Sequence, residues 1–427
     1  MKTRFYYLSI LMTLVLLSFK SSYSDKIVEL PFTLVDGYGG FPVGFGVLGK
    51  ALAEDNPWSI TIDQNLKGVP TDWNNIVTNY IWFDPRQFAF QNYKQGKLND
   101  EFFTDLKSSW NINLDKRPFS EKPIKCFVYV IHGKDSNGVI KYKIDTNNNL
   151  DFSDETEFTP VLADWEKLDS LADKFSHRVK YESFRDGKLA EIFAPLLIVD
   201  RGNGTLLRNI SQYGETELNG TKIQICSQGF NSTDYEPASI LKLSNRDEII
   251  NENEFILINS DLYQNLGVSI NKQVLRLKKL PKDTVIYSSQ VGFNAVPFTA
   301  KEFRTQETIS LHSYKGKYLY IEFWGSWCGP CLKELPEIKK AYINIDKSKI
   351  DFLGVAFDKV DPLEKILERE KIEWKQILQE EEDGIIDDYN ITGYPTSFLI
   401  DPNGKIIAKN LQGEKLLDTL NYYTKKK

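Results

Sequence analysis

Two of the four cysteines in the chain stand two residues apart, in the run Trp324-Gly325-Ser326-Trp327-Cys328-Gly329-Pro330-Cys331. A pair at this spacing can pass between dithiol and disulfide, and that chemistry runs through a thiolate attacking a disulfide sulfur. The pair must therefore sit where a thiolate is stabilised. The apolar run 318–323 before it reads as a strand, and the run opening at Leu332-Lys333-Glu334 reads as a helix. This puts both cysteines at a helix N-terminus, where free N–H groups and the positive end of the helix favour negative charge. Cys328 is expected to be the exposed, acidified nucleophile, and Cys331, one turn in, the resolving thiol. Pro330 suits a first turn, where a missing N–H costs nothing. A zinc site would need four ligands, and the chain has three His and no second Cys or His pair at metal spacing.

The rest of the chain limits the setting. At 427 residues it exceeds one domain of the size this motif needs, and 41% hydrophobic with 13% aromatic residues can fill a proper core. A net charge of −6 leaves no basic footprint, so no nucleic-acid partner is expected. Lys2 and Arg4 precede an apolar stretch and then Ser21-Ser22-Tyr23-Ser24. That order reads as a signal peptide over 1–24, with an uncleaved anchor as the alternative. Export, to the periplasm, would put the dithiol where disulfides persist.

Residues 25–160 read as a β-rich domain, with strand-like runs at 27–32 and 58–62 and a loop over 111–118. A G-x-G-x-x-G run, Gly44 to Gly49, leaves no room before Pro57 for the helix of a dinucleotide site. Its glycines are expected to serve bends. The segment 145–155 carries Asp145, Asn147, Asn149 and Asp151 at alternate places with Glu155 near the end, a weak calcium pattern. Leu150 stands where Gly normally turns the loop and Thr156 where a bidentate Glu belongs, which leaves an Asx-rich turn as the rival reading. The segment 161–290, a separate module or part of the first, opens with a predicted helix over 162–175. Short strands follow, with Asp186-Gly187 marking a hairpin. Cys126 and Cys226 either pair, closing a loop worth about 4.7 kcal/mol in the chain-entropy model, or remain two buried thiols.

From 291 to 427 strands and helices alternate: strands at 309–311, 318–323, 352–357, 396–400 and 405–410, helices at 328–342, 362–371, 384–389 and 414–423. This predicts an α/β domain, a mixed sheet with helices on both faces. The run 324–331, the lead-in 291–298, the approach Tyr314-Lys315-Gly316-Lys317 and the later Gly393-Tyr394-Pro395-Thr396 all resemble the TlpA/ResA-like branch of the thioredoxin superfamily. The resemblance covers the last third of the chain and implies a thioredoxin-like fold. It implies that Pro395 is the family's cis-proline, leaving the Tyr394 backbone free for substrate, and that Pro336 kinks the active-site helix. It implies that Glu322 is the buried acid behind the dithiol and Glu334 a glutamate recurring in the ResA-like group, either able to take the Cys331 proton. Trp327 with Gly329 and Pro330 is expected to line the substrate face, and Trp324 to enter the core.

The reading that results is an exported protein-disulfide reductase whose redox-active Cys328–Cys331 pair needs no further cofactor. It would act on disulfide-bearing proteins and be recharged by a membrane thiol donor, as the resemblance implies. The Gly329-Pro330 insert resembles that of reducing thioredoxins. The alternatives are an oxidase or isomerase of the same fold, or an envelope binding protein whose β-rich module is the working part.

Overall fold

The computed structural model describes residues 26–48, 56–62, 65–115, 117–236, 239–244, 248–381 and 384–425. The expected signal segment 1–24 lies outside them. Among the described residues no helix is long and apolar enough to cross a membrane. The chain divides into two compact units, Met1–Leu280 and Pro281–Lys427.

The first unit is mostly antiparallel sheet, and its pairings run across the expected division at 160/161. Lys26–Pro31 pairs with Val274–Lys279, Thr33–Asp36 with Gln212–Leu218, and Gly46–Val47 with Leu206–Ile210. Segments 25–160 and 161–290 thus share sheets, and the hairpin turn at Asp186-Gly187 has the positive φ at both places that the two-residue turn requires. Gly46, from the glycine run, lies in the edge strand beside Leu206–Ile210, so that run serves the sheet.

Three expectations change here, and one open alternative is decided. Residues 58–62 contain a 3-10 turn, Ser59–Thr61, rather than a strand. The helix expected from 162 starts at Leu168, because Val161–Leu162 pairs in parallel with Lys188–Asp200 and Asp164 then turns the chain, its Oδ1 accepting from the Glu166 N–H. Two helices, Pro85–Lys94 and Asp100–Ser109, interrupt the β-rich region. Helix Pro85–Lys94 is buried from Arg86 to Asn92 and shows no single apolar stripe, which hid it from a periodicity reading. The N-caps of the two helices were legible: Asp84 accepts from the Gln87 N–H ahead of Pro85, and Asn99 accepts from the Phe102 N–H ahead of Asp100–Ser109. Finally, Cys126 and Cys226 are both free and fully buried, packed in separate apolar clusters. They do not pair.

The second unit begins at Pro281 rather than at 291: Ser288 donates its N–H to the Asn294 carbonyl, and Asn294 in turn bridges to Lys405. The five strands of its main sheet lie in the order Lys375–Gln379, Ile350–Phe357, Tyr318–Trp324, Thr396–Ile400, Ile406–Lys409. The first three pair in parallel, Thr396–Ile400 is antiparallel to the central strand Tyr318–Trp324, and Ile406–Lys409 is antiparallel to Thr396–Ile400. Central residues alternate between the two faces. Leu319, Ile321 and Phe323 pack with Ile385, Ile386 and Tyr389 on one side. Tyr320 and Trp324 pack with Leu335, Ile338, Leu363, Leu416 and Leu420 of three helices on the other. This is the mixed, helix-covered sheet of a thioredoxin-like fold.

Candidate active site

The central strand ends at Trp324, and the helix Gly329–Asn344 starts five residues later. Cys328 is the helix N-cap, and its Sγ accepts from the Cys331 N–H at 3.2 Å. The two sulfurs are joined as a disulfide with S–S 2.03 Å. Pro330 lies in the first turn, and Pro336 lies inside the same continuous helix. The Tyr394–Pro395 peptide is cis.

One expectation is corrected at the nucleophile. Cys328 is 3% exposed and Cys331 1%. As N-cap, Cys328 turns its sulfur toward the first helical turn, and both cysteines join the apolar cluster under the helix. What faces solvent is the rim: Trp327 is 59% exposed, and Gly329 and Pro330 are exposed beside it. Trp324 is core, as expected, with its indole N–H donating to Gln376 Oε1 at 3.1 Å.

The rim is held by residues that sequence reasoning did not single out. Trp327 Nε1 donates to the Phe357 carbonyl at 2.8 Å, and the Ser326 N–H donates to Asp358 Oδ2 at 2.6 Å. The other Asp358 oxygen accepts from the Lys359 N–H at 2.9 Å. A Cβ on Gly325 would stand 2.6 Å from Trp327 Nε1 and 2.8 Å from the Phe357 carbonyl oxygen, so this fold of the loop admits only glycine there. The rings of Trp327 and Tyr394 meet edge to face at 5.5 Å, and Phe357 stacks on Tyr394 at 6.0 Å. The three form an aromatic patch on the motif's side of the domain. The only sequence signal for Phe357 and Asp358 was their place at the end of a predicted strand.

Glu322 points to the face that carries the CxxC helix, between Tyr320 and Trp324, and is 5% exposed. In the sheet register it stands between Gly354 and Ser397, with Gln376 beyond Gly354. A short polar row thus crosses the sheet in an otherwise apolar face. Burial, with the charge of Glu334 adding to it, pushes the Glu322 carboxyl up to about 8. Glu334 is half-buried, and its Oε2 accepts from the Gly413 N–H at 2.9 Å, tying the active-site helix to the loop before the last one. Neither acid is an ordinary solvated residue.

The weak calcium segment folds as an Asx-rich turn. Asp145 accepts from the Asn149 and Leu150 N–H groups, Asn147 from Asn149, Asn149 from Asp151, and Glu155 from Thr146. Leu150 takes φ +67°, the left-handed conformation for which glycine was missed in the sequence. Among the described residues no group of three or more His, Cys, Asp or Glu is gathered to hold a metal ion.

Residues 291–409 match the AhpC/TSA family. Over 137 residues the chain is 30% identical to thiol-disulfide oxidoreductase ResA of Bacillus thuringiensis subsp. konkukian, covering 32% of this chain and 78% of that protein. The chain belongs to the ResA family of thiol–disulfide oxidoreductases. ResA of Geobacillus kaustophilus is 32% identical over 117 residues, 27% of this chain and 66% of its own length. Among solved structures, the thioredoxin domain of a thiol-disulfide oxidoreductase from Bacteroides vulgatus is 32% identical, covering 31% of this chain and 97% of that one, with a TM-score of 0.30. The family relationship spans the C-terminal third, so the ResA-type enzyme is the second unit and the β-rich unit is an addition to it.

Proposed function

We propose that this ResA-family chain is an exported protein-disulfide reductase working through Cys328 and Cys331. The observation that carries the reading is the Cys331 N–H directed at Cys328 Sγ from the first turn of a helix, a donor that stabilises a thiolate there once the disulfide is opened. The Cys328 thiolate attacks one sulfur of a substrate disulfide; that S–S bond breaks and the first substrate thiolate leaves. Cys331 then gives its proton to Glu322, attacks Cys328 Sγ, and expels the second substrate thiolate. Two electrons have moved to the substrate, and the Cys328–Cys331 disulfide must be reduced again by an external dithiol, for which a membrane thiol carrier is the proposed donor. Substrate would enter over Trp327, Gly329 and Pro330 and pair with the backbone of Tyr394 beside Pro395, in the manner of an added strand. Glu334 is the second candidate for the proton, and no metal is required by any step.

The direction rests on Gly329-Pro330, an insert that resembles those of reducing thioredoxins. The test is the equilibrium of the pair against glutathione or dithiothreitol, read by thiol labelling. A value near the thioredoxin figure of about −270 mV supports the reductase, and one near the oxidant DsbA figure of about −120 mV replaces it with an oxidase. Cys331→Ser should trap mixed disulfides through Cys328, and Cys328→Ser should abolish insulin-disulfide reduction. Full activity in Cys328→Ser would refute the assignment of the nucleophile.

A further inference from the structure

The β-rich unit contains a polar cavity of about 440 Å³ walled by Arg86, Arg117, Arg276, Glu236, Glu252 and Ser269. That volume lies within the range of small-molecule sites, roughly 300–1,000 Å³. Arg86 comes from the first turn of helix Pro85–Lys94 and is 6% exposed; Arg276 comes from strand Val274–Lys279. Part of each donor set is used. Arg86 Nε lies 3.1 Å from Asp234 Oδ2 and its Nη1 3.6 Å from Glu236 Oε2, while Arg276 Nη2 donates to the Leu266 carbonyl at 3.0 Å. Arg117 is taken up by Asp84 and Asp234. Two donors remain over: Arg86 Nη2 and Arg276 Nε are buried with no hydrogen-bond partner. A charged donor buried unpaired is costly, and native proteins seldom leave one without a reason. Here two such donors border one cavity.

The surrounding charge selects among acceptors. Three arginines face Asp84, Asp234, Glu236 and Glu252, so the cluster is not a basic pocket. A dianion such as phosphate or sulfate would meet two glutamates at short range. A single carboxylate carries one charge, and its two oxygens suit guanidinium donors.

We propose that this cavity binds a small monocarboxylate, its oxygens accepting from Arg86 Nη2 and Arg276 Nε. Ser269, Glu236 and Glu252 would meet hydroxyl or amine groups on the rest of the ligand, so hydroxy and amino acids are the favoured class. The site is independent of the dithiol and of its direction of electron flow.

The experiment is calorimetric titration of the full chain at pH 7 and matched ionic strength with acetate, lactate, glycine, sulfate and phosphate. Saturable binding of at least one carboxylate, tighter than either inorganic anion, is expected. Arg276→Gln should weaken it by roughly tenfold or more, the scale of one lost charged hydrogen bond. Glu252→Gln keeps the shape and removes a negative charge, so it should tighten binding of acetate and weaken that of glycine, whose amine it would meet, which gives a reading if Arg276→Gln fails to fold. No saturation by any carboxylate, stronger binding of sulfate or phosphate, or affinity unmoved by Arg276→Gln or by Glu252→Gln would overturn the proposal.

Discussion

Glu322 on the central strand and Glu334 on the active-site helix are close enough for the charge of one to act on the other, and with burial this holds the Glu322 carboxyl up to about 8. An acid whose folded pKa lies above its unfolded value of 4.5 leaves stability unaffected at pH below about 4.5. It removes stability as pH rises toward and through about 8, at about 1.4 kcal/mol per pKa unit. Oxidised protein should therefore lose several kcal/mol of unfolding free energy between pH 5 and pH 9, and Glu322→Gln should flatten that decline. Urea unfolding of both at three pH values checks it, and equal slopes would refute the buried-acid account. In the reduced enzyme the rate of mixed-disulfide resolution should rise with pH through about 8, and that limb should move in Glu322→Gln.

Trp327 is exposed, yet its indole N–H is anchored to the Phe357 carbonyl, so the ring is an oriented surface. Trp327→Ala should therefore raise KM for protein disulfides and lower kcat/KM by roughly fivefold to thirtyfold, the scale of an interface anchor. The melting temperature should hardly move. A fall in kcat with unchanged KM would mean that the ring acts on the dithiol instead.

The C-terminal unit was legible because its signals are local. The CxxC run and the strand-then-helix order around it each occupy adjacent residues, and Cys328 does cap the helix that follows. Asp358 was not legible as a support of the active-site loop, since the parallel pairing that brings residue 358 to residue 326 is a property of topology. The same limit explains the β-rich unit: its closure depends on Lys26–Pro31 finding Val274–Lys279 from the far end of the segment. The burial of Cys328 was missed for a different reason. Motif position announces reactivity, whereas exposure depends on which way an N-cap side chain turns.

Cys126 and Cys226 give a prediction about thiol count. Burial pushes both thiols far up, and each sits in its own apolar cluster. An aromatic disulfide reagent should find no rapidly reacting thiol in the oxidised native protein and two after unfolding without reductant. Zero after unfolding would mean that they pair in the isolated protein.

The polar row in the sheet under the helix is held by one amide. Gln376 is fully buried; its Oε1 accepts from Trp324 Nε1, and its Nε2 donates to the Trp374 carbonyl at 3.3 Å. A Cβ on Gly354 would lie only 2.0 Å from that Oε1. Gly354→Ala must therefore displace the amide and break the bond to Trp324, costing about 1–3 kcal/mol as overpacking does. Gln376→Ala vacates that space but leaves the Trp324 N–H buried and unpaired, a penalty of about 1–3 kcal/mol. The two changes act on one contact, so their effects should not add. The double variant should be less destabilised than the sum of the singles by about 1 kcal/mol or more, measured by denaturant unfolding. Strict additivity would mean that Gly354 is constrained by the backbone of its own strand and not by the amide that reaches across it.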